Sequence, residues 1–233
     1  MRQLIFFTLL LPFLLNAQFL EFGGGLGLSN YTGDLNRVPV VSKPKPALQA
    51  IYRMNFSEFV SLKFTGTVAK LAGDDTRSFD ALGIARDYSF NHTILELGSS
   101  FEYHFLNYRS QGAQHKWSPF ISLGFAFAKI NNVDPTYEDF NTFQTVIPMG
   151  VGAKFLIGKR LSLSVETVAR KTFFDYLDGI SDGDIFVKDY QFGNPNDNDW
   201  YFYSGVSLTY IIYKIPCPFQ YIPNKSIFTR AKP

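Results

Sequence analysis

Apolar residues along this chain recur with a period of two. In FLEFGGGLGLS, Leu20, Phe22, Leu26 and Leu28 fall on one face, and Glu21, Gly23, Gly25, Gly27 and Ser29 on the other. The same alternation marks PALQAIYRMNF, FVSLKFTGTVA, ILELGSSFEYHF, WSPFISLGFAFA, TVIPMGVGAKFL, LSLSVETVAR and WYFYSGVSLTYII. Successive side chains of a β-strand point to opposite sides, so each segment predicts a strand with one apolar face. That makes eight strands, each long enough for the roughly 9–11 residues a tilted strand needs to cross a bilayer. The connectors alternate in length. Long ones follow strands one, three, five and seven, at 30–46, 70–91, 130–142 and 171–199; shorter ones lie around Asn55–Ser57, at 107–116 and at IGKR, 157–160. Outer-membrane barrels have long outer loops, short periplasmic turns and an even number of strands. Only the 107–116 turn is longer than that pattern asks.

Charge sharpens the picture. The middle of each apolar face carries none, and Glu58, Lys70 and Lys129 sit only at strand ends. The opposite face carries Glu21, Glu96, Glu102 and Glu166 against Arg53, Lys63, Lys154 and Arg170. In a narrow eight-stranded barrel side chains fill the interior, and buried charges there must pair or cost several kcal/mol each. Four against four predicts a salt-bridged, sealed lumen. Aromatic residues near strand ends (Phe56, Phe59, Tyr103, Phe105, Trp117, Trp200, Tyr201 and Tyr213) predict interfacial girdles. A soluble lipocalin-type barrel is the alternative, with the apolar face turned inward. The glycines and small residues share the charged face, which favours the membrane orientation. The expected fold class is all-β, an eight-stranded antiparallel transmembrane outer-membrane β-barrel.

Composition agrees. Hydrophobic residues make up 46% of the chain, yet no stretch after the first 17 residues is apolar enough for a transmembrane helix. That opening, MRQLIFFTLLLPFLLNA, has Arg2, an apolar run from Leu4 to Leu15, and Ala17 as a small residue before Gln18. It predicts a Sec-type signal peptide cleaved after Ala17, with no cysteine following for a lipoprotein anchor. The expected organisation is a signal peptide at 1–17, the barrel at 18–214 and a periplasmic tail at 215–233. Loss of Arg2 from the 22 basic residues leaves 21 against 20 acidic ones, with no basic patch, so nucleic acid is not an expected partner. The lipid of the outer membrane is.

Candidate chemistry is sparse. His92, His104 and His115 have no metal-ligand spacing. His104 shares a face with Glu102 and is expected in a lumen network; a lipid-modifying enzyme built on His92 or His104 is the less favoured alternative. GGGLG at 23–27 lacks the Lys-Ser/Thr of a phosphate loop and reads as close strand packing. The 171–199 connector holds seven aspartates without EF-hand spacing, so calcium stays an open possibility and no metal or cofactor is expected. Asn91 begins an NHT sequon, which means little in a bacterial cell. The single cysteine, Cys217, lies between Pro216 and Pro218, which disfavour strand and helix. An unpaired thiol in an oxidising compartment predicts an intermolecular disulfide; an idle thiol is the alternative.

EFGGGLGLSNYTGDL at 21–35 resembles the opening strand and first loop of the porin-like PorG, or DUF6089, outer-membrane proteins of Bacteroidetes. FFDYLDGIS at 173–181 resembles the start of their last outer loop, and Cys217–Pro218 their ending. The matching positions are Tyr31, Gly33, Asp34, Asp175, Tyr176, Leu177, Asp178 and Cys217. The resemblance runs from about 19 to 218. It implies a non-enzymatic component of the type IX protein secretion system, linked to gliding motility in some members, that anchors a periplasmic ring of PorK and PorN. Cys217 is then the expected point of contact with a ring subunit. A general small barrel of the OmpA or OmpX kind is the runner-up.

Overall fold

The computed structural model describes residues 19–32, 44–74, 89–109, 113–131, 143–158, 160–173 and 200–213. They form eight strands: β1 (Phe19–Thr32), β2 (Lys45–Asn55), β3 (Val60–Asp74), β4 (Ser89–His104), β5 (Trp117–Asn131), β6 (Phe143–Ile157), β7 (Leu161–Thr172) and β8 (Trp200–Tyr213). Each pairs antiparallel with its neighbours in chain order, and β8 closes on β1. The expected fold class is therefore the observed one. Most strands exceed the expected segments at the long-connector end, β4 by Ser89–Thr93 and β3 by Lys70–Asp74.

The register fixes the barrel's dimensions. Register partners run Leu20, Met54, Leu62, Phe101, Leu123, Met149, Ala169, Phe202 and back onto β1 at Asn30, ten residues beyond the start. A shear of ten over eight strands tilts each strand by roughly 40°. Each strand crossed therefore shifts the level by about one and a quarter residues. Levelled this way, Phe59, Phe105, Trp117 and Leu161 form one rim. Lys70, Lys129 and Lys171 lie close to a common height about eleven residues above it, or roughly 27 Å. That is the height of the apolar band of an outer-membrane barrel.

Between the rims the outside is apolar: Leu26 is 69% exposed, Leu97 66% and Phe101 62%. The charged face is inside and buried. This is the reverse of a lipocalin and the arrangement of a transmembrane β-barrel, where lipid replaces water around the wall. Two of the rim lysines lie over aromatic rings, Lys129 over Phe143 at 5.5 Å and Lys171 over Trp200 at 5.7 Å. Among the girdle residues, Phe59, Tyr103, Phe105 and Trp117 are exposed as expected. Tyr201 is not one of them: it is 3% exposed and points into the lumen. Its odd-numbered register on β8 puts it beside Tyr203 and Ser207, and not with Trp200 and Phe202.

The glycines of β1 serve the tight interior. A side chain at Gly23 would strike the backbone of Leu208, and one at Gly27 the ring of Tyr203. Gly158 serves differently, since its φ of 70° turns β6 into β7 in a conformation that glycine adopts freely.

Candidate functional site

The lumen is the only place where chemistry-bearing side chains converge among the described residues, and it is built in two storeys. The lower one, on the short-turn side, is an ionic seam. Lys154 Nζ lies 2.6 Å from Glu21 Oε2, and Arg53 Nη1 2.7 Å from the same oxygen. Arg53 Nε then reaches Glu102 Oε2 at 2.7 Å, Lys63 Nζ reaches Glu102 Oε1 at 3.2 Å, and Lys63 Nζ also reaches Glu166 Oε2 at 2.6 Å. Six charges thus alternate in sign along one line crossing the barrel. Asn55 Nδ2 and Thr209 Oγ1 donate to Glu21 at 2.9 and 3.1 Å. All six ionic side chains are 3% exposed or less. Their attraction offsets the desolvation only because each has a partner of opposite sign in place.

Higher up, Arg170 Nε sits 2.7 Å from Glu96 Oε2, and the Tyr201 hydroxyl donates to the same carboxylate. Arg170 is also flanked by the rings of Tyr201 and Tyr203, at 5.5 and 5.3 Å. So all eight residues of the expected charge network lie inside: six in one seam, and Glu96 with Arg170 in a separate pair. Tyr201 belongs to that pair. Its aromatic character at a strand end signalled a girdle; only the parity of the strand places it inside.

Above that pair the lumen is mainly apolar, with His92 and Thr172 as buried polar exceptions. Tyr31, Leu71, Phe90, Ile94, Ile130 and Val146 pack together with Ala126, Ala128 and Tyr201, all 6% exposed or less. Tyr31 meets Phe90 edge-on at 5.2 Å, and His92 stacks on Phe90 at 5.0 Å within β4. Tyr31, Leu71, Phe90 and Ile130 of this upper core went unread in the sequence because they lie on strand extensions assigned to connectors. Continuing the same alternation through 71, 94, 130 and 146 finds it.

The short-turn mouth is closed by the one turn that is too long. After β4 the chain bends back: Leu106 N donates to Ser118 Oγ at 2.9 Å, and Asn107 donates to the Glu58 carboxylate. Tyr108 is thereby 2% exposed, and burial pushes its phenol pKa above the ordinary value. Arg109 lies over the Tyr108 ring at 4.8 Å and donates to Ser61 Oγ at 3.2 Å, to Ser57 O at 3.3 Å and to His104 Nε2 at 3.1 Å.

This brings together a serine, a histidine and a carboxylate that no sequence motif signalled. Ser61 Oγ is 3.4 Å from His104 Nε2, and Glu102 Oε2 is 3.6 Å from the same nitrogen. The geometry is not that of a catalytic relay, in which serine and carboxylate take opposite ring nitrogens. Arg109, Ser61 and Glu102 all crowd Nε2, while the buried Nδ1 has no hydrogen-bond partner among the described residues. The Ser61 hydroxyl donates to Asn55 Oδ1 at 2.7 Å. Ser61, Glu102 and His104 are all buried to 1% or less.

Among the described residues no group of three His, Cys, Asp or Glu side chains has metal-binding geometry. The 1–17 segment, Gly33, Asp34, Asp175–Asp178 with most of the aspartate-rich connector, and Cys217 with its tail lie outside the described residues.

A family model described as "Domain of unknown function (DUF6089)" matches residues 2–221. The chain belongs to the DUF6089 family. No curated protein matches it. Among solved structures, this DUF6089 protein is similar to the N-terminal β-barrel domain of Pseudomonas aeruginosa OprF, at 12% identity and a TM-score of 0.45, covering 84% of this chain and 98% of that one. It is similar to the Neisserial surface protein NspA at 9% identity and a TM-score of 0.49, covering 82% and 96%. It is also similar to Ail of Yersinia pestis, in complex with the heparin analogue sucrose octasulfate, at 9% identity and a TM-score of 0.48, covering 83% and 98%.

Proposed function

We propose that this DUF6089 barrel is a non-enzymatic outer-membrane component of a type IX protein secretion machine. In this reading it anchors a periplasmic ring of PorK- and PorN-like subunits to the membrane. The observation that carries the passive half of the reading is the sealed lumen. Six alternating charges, a mainly apolar core above them and the Tyr108–Arg109 contacts below fill the lumen, among the described residues, with side chains that brace the wall. The secretion half is supported by the resemblance of the Tyr31–Leu35 and Asp175–Asp178 elements to PorG proteins. A ring is met on the periplasmic side, through the short turns and the tail, where Cys217 is the proposed disulfide partner.

The test is a chromosomal deletion with complementation. Cargo carrying the type IX C-terminal signal is expected to accumulate inside the cell and to be released again by the restored gene. Undiminished secretion overturns the reading. Purification from native membranes in mild detergent is expected to bring down a stoichiometric ring subunit. A lone barrel favours a general envelope role of the OmpX kind. On a non-reducing gel, a higher-mass band removed by Cys217→Ser is expected, and its absence sinks the disulfide.

A further inference from the structure

Large side chains cover most of the lipid-facing wall, but one face is recessed. Ala50 of β2 and Gly66 of β3 are register partners on the outward side. They floor a groove bounded by Tyr52, Phe64 and Leu97. Packing does not require glycine at 66: a side chain there would meet nothing nearer than Leu97 Cδ2, at an ordinary 3.5 Å. Gly124 is the contrast, where a side chain would run into the Ser99 backbone. The recess at Gly66 is therefore open space in the apolar band, and the medium on that side is lipid.

Four residues further along the same face of β3 stands Lys70, exposed at the outer rim. At about 3.3 Å per residue and the barrel's tilt, it lies roughly 10 Å above the groove. Between the rims, the outward faces of β2, β3 and β4 carry no other charge among the described residues. A cation at headgroup level above an apolar groove at acyl level is the complement of a lipid with an anionic head. Eight residues line the groove, far fewer than the ~20–30 residues a side of a stable protein interface. The rim is the long-connector one, so the leaflet is the outer leaflet, whose characteristic lipid is a phosphorylated glycolipid.

We propose that the β2–β4 face binds one phosphorylated glycolipid of the outer leaflet, with a phosphate at Lys70 and an acyl chain in the groove over Ala50 and Gly66. Lysine suits the head as a compact point charge for phosphate. Tyr52 and Phe64, with rings 6.2 Å apart, form one wall for the chain. The site does not depend on the secretion reading, only on the barrel lying in an outer membrane.

The test is native mass spectrometry of the full chain in detergent, titrated with lipid A in phosphorylated and dephosphorylated forms and with phosphatidylglycerol. One phosphorylated lipid A is expected to be retained in preference to the other two. Lys70→Gln is expected to weaken retention about fivefold, the worth of one lysine beside an anionic surface. Gly66→Leu, which fills the groove and leaves the charge, is expected to weaken it as well, and Lys171→Gln, on β7 across the barrel, to leave it unchanged. Heat-modifiable gel migration reports folding, and Ala50→Leu replaces Gly66→Leu if that variant fails to fold. Equal losses from Lys70→Gln and Lys171→Gln overturn the site in favour of general surface attraction. Equal retention of phosphatidylglycerol overturns the glycolipid assignment. Undiminished retention in both groove variants, or a wild-type dimer that they abolish, overturns the acyl groove.

Discussion

Glu21 is a residue whose role depends on everything around it. It holds Lys154 and Arg53 through one oxygen and Asn55 through the other. Glu21→Gln leaves two buried cations with one anion fewer, so a loss of about 3–5 kcal/mol is expected, read by urea unfolding in detergent. The Glu96–Arg170 pair gives the complementary test. Arg170→Met alone strands a buried carboxylate, whereas Glu96→Leu with Arg170→Met replaces both charges by packing. The double variant is expected to be more stable than Arg170→Met. The inward charges were legible because, away from the rims, every charge on a strand fell on the parity opposite to the large apolar residues. Their pairing was not, since Lys63 and Glu166 meet across 103 positions of sequence. The glycines behaved likewise: alternation put Gly23 and Gly124 inside, but only the register shows that each abuts a neighbour's backbone. Gly124→Ala is therefore expected to destabilise by more than 1 kcal/mol, while Gly66→Ala stays within about 0.5 kcal/mol.

At the scale of elements, period-two alternation located every strand because the two sides of the wall face different media. It underestimated their length at the outer end. There the apolar positions Leu71, Ile94 and Ile130 point inward, so the rule of apolar-out and polar-in reverses above the Glu96–Arg170 pair. The 105–116 connection is the other departure. A hairpin needs only a few residues, and the surplus here is used to carry Tyr108 and Arg109 into the mouth. The closure rests on few contacts, chiefly Tyr108 beneath His104 with rings 5.4 Å apart and the Arg109 bonds to Ser57, Ser61 and His104. Tyr108→Ala removes the buried ring and is expected to release the turn. Trypsin added to detergent-solubilised protein should then cut at Arg109 or Lys116 at least several-fold faster than in the wild type, with the strands left intact. An unchanged cleavage rate would mean that the turn is held by its backbone and not by the inserted side chains.

At the scale of the whole barrel, the described residues present an outer surface matched to lipid and an interior filled by side chains. The two storeys seal by different physics. An ion entering from the short-turn side meets paired charges whose partners it would have to displace, at a cost of several kcal/mol per bond broken. From the long-connector side it meets an apolar core that offers no replacement for its hydration shell. Because the barriers are in series, opening one leaves the other. The wild-type barrel in a planar lipid bilayer is therefore expected to show no unitary conductance. Arg53→Ala with Glu102→Ala, which removes the centre of the seam while keeping its charge balanced, is expected to show none either, since Leu71, Ile94, Ile130 and Val146 still close the upper storey. Conductance in that double variant would mean that the seam is the sole seal and that the apolar core opens under a membrane potential.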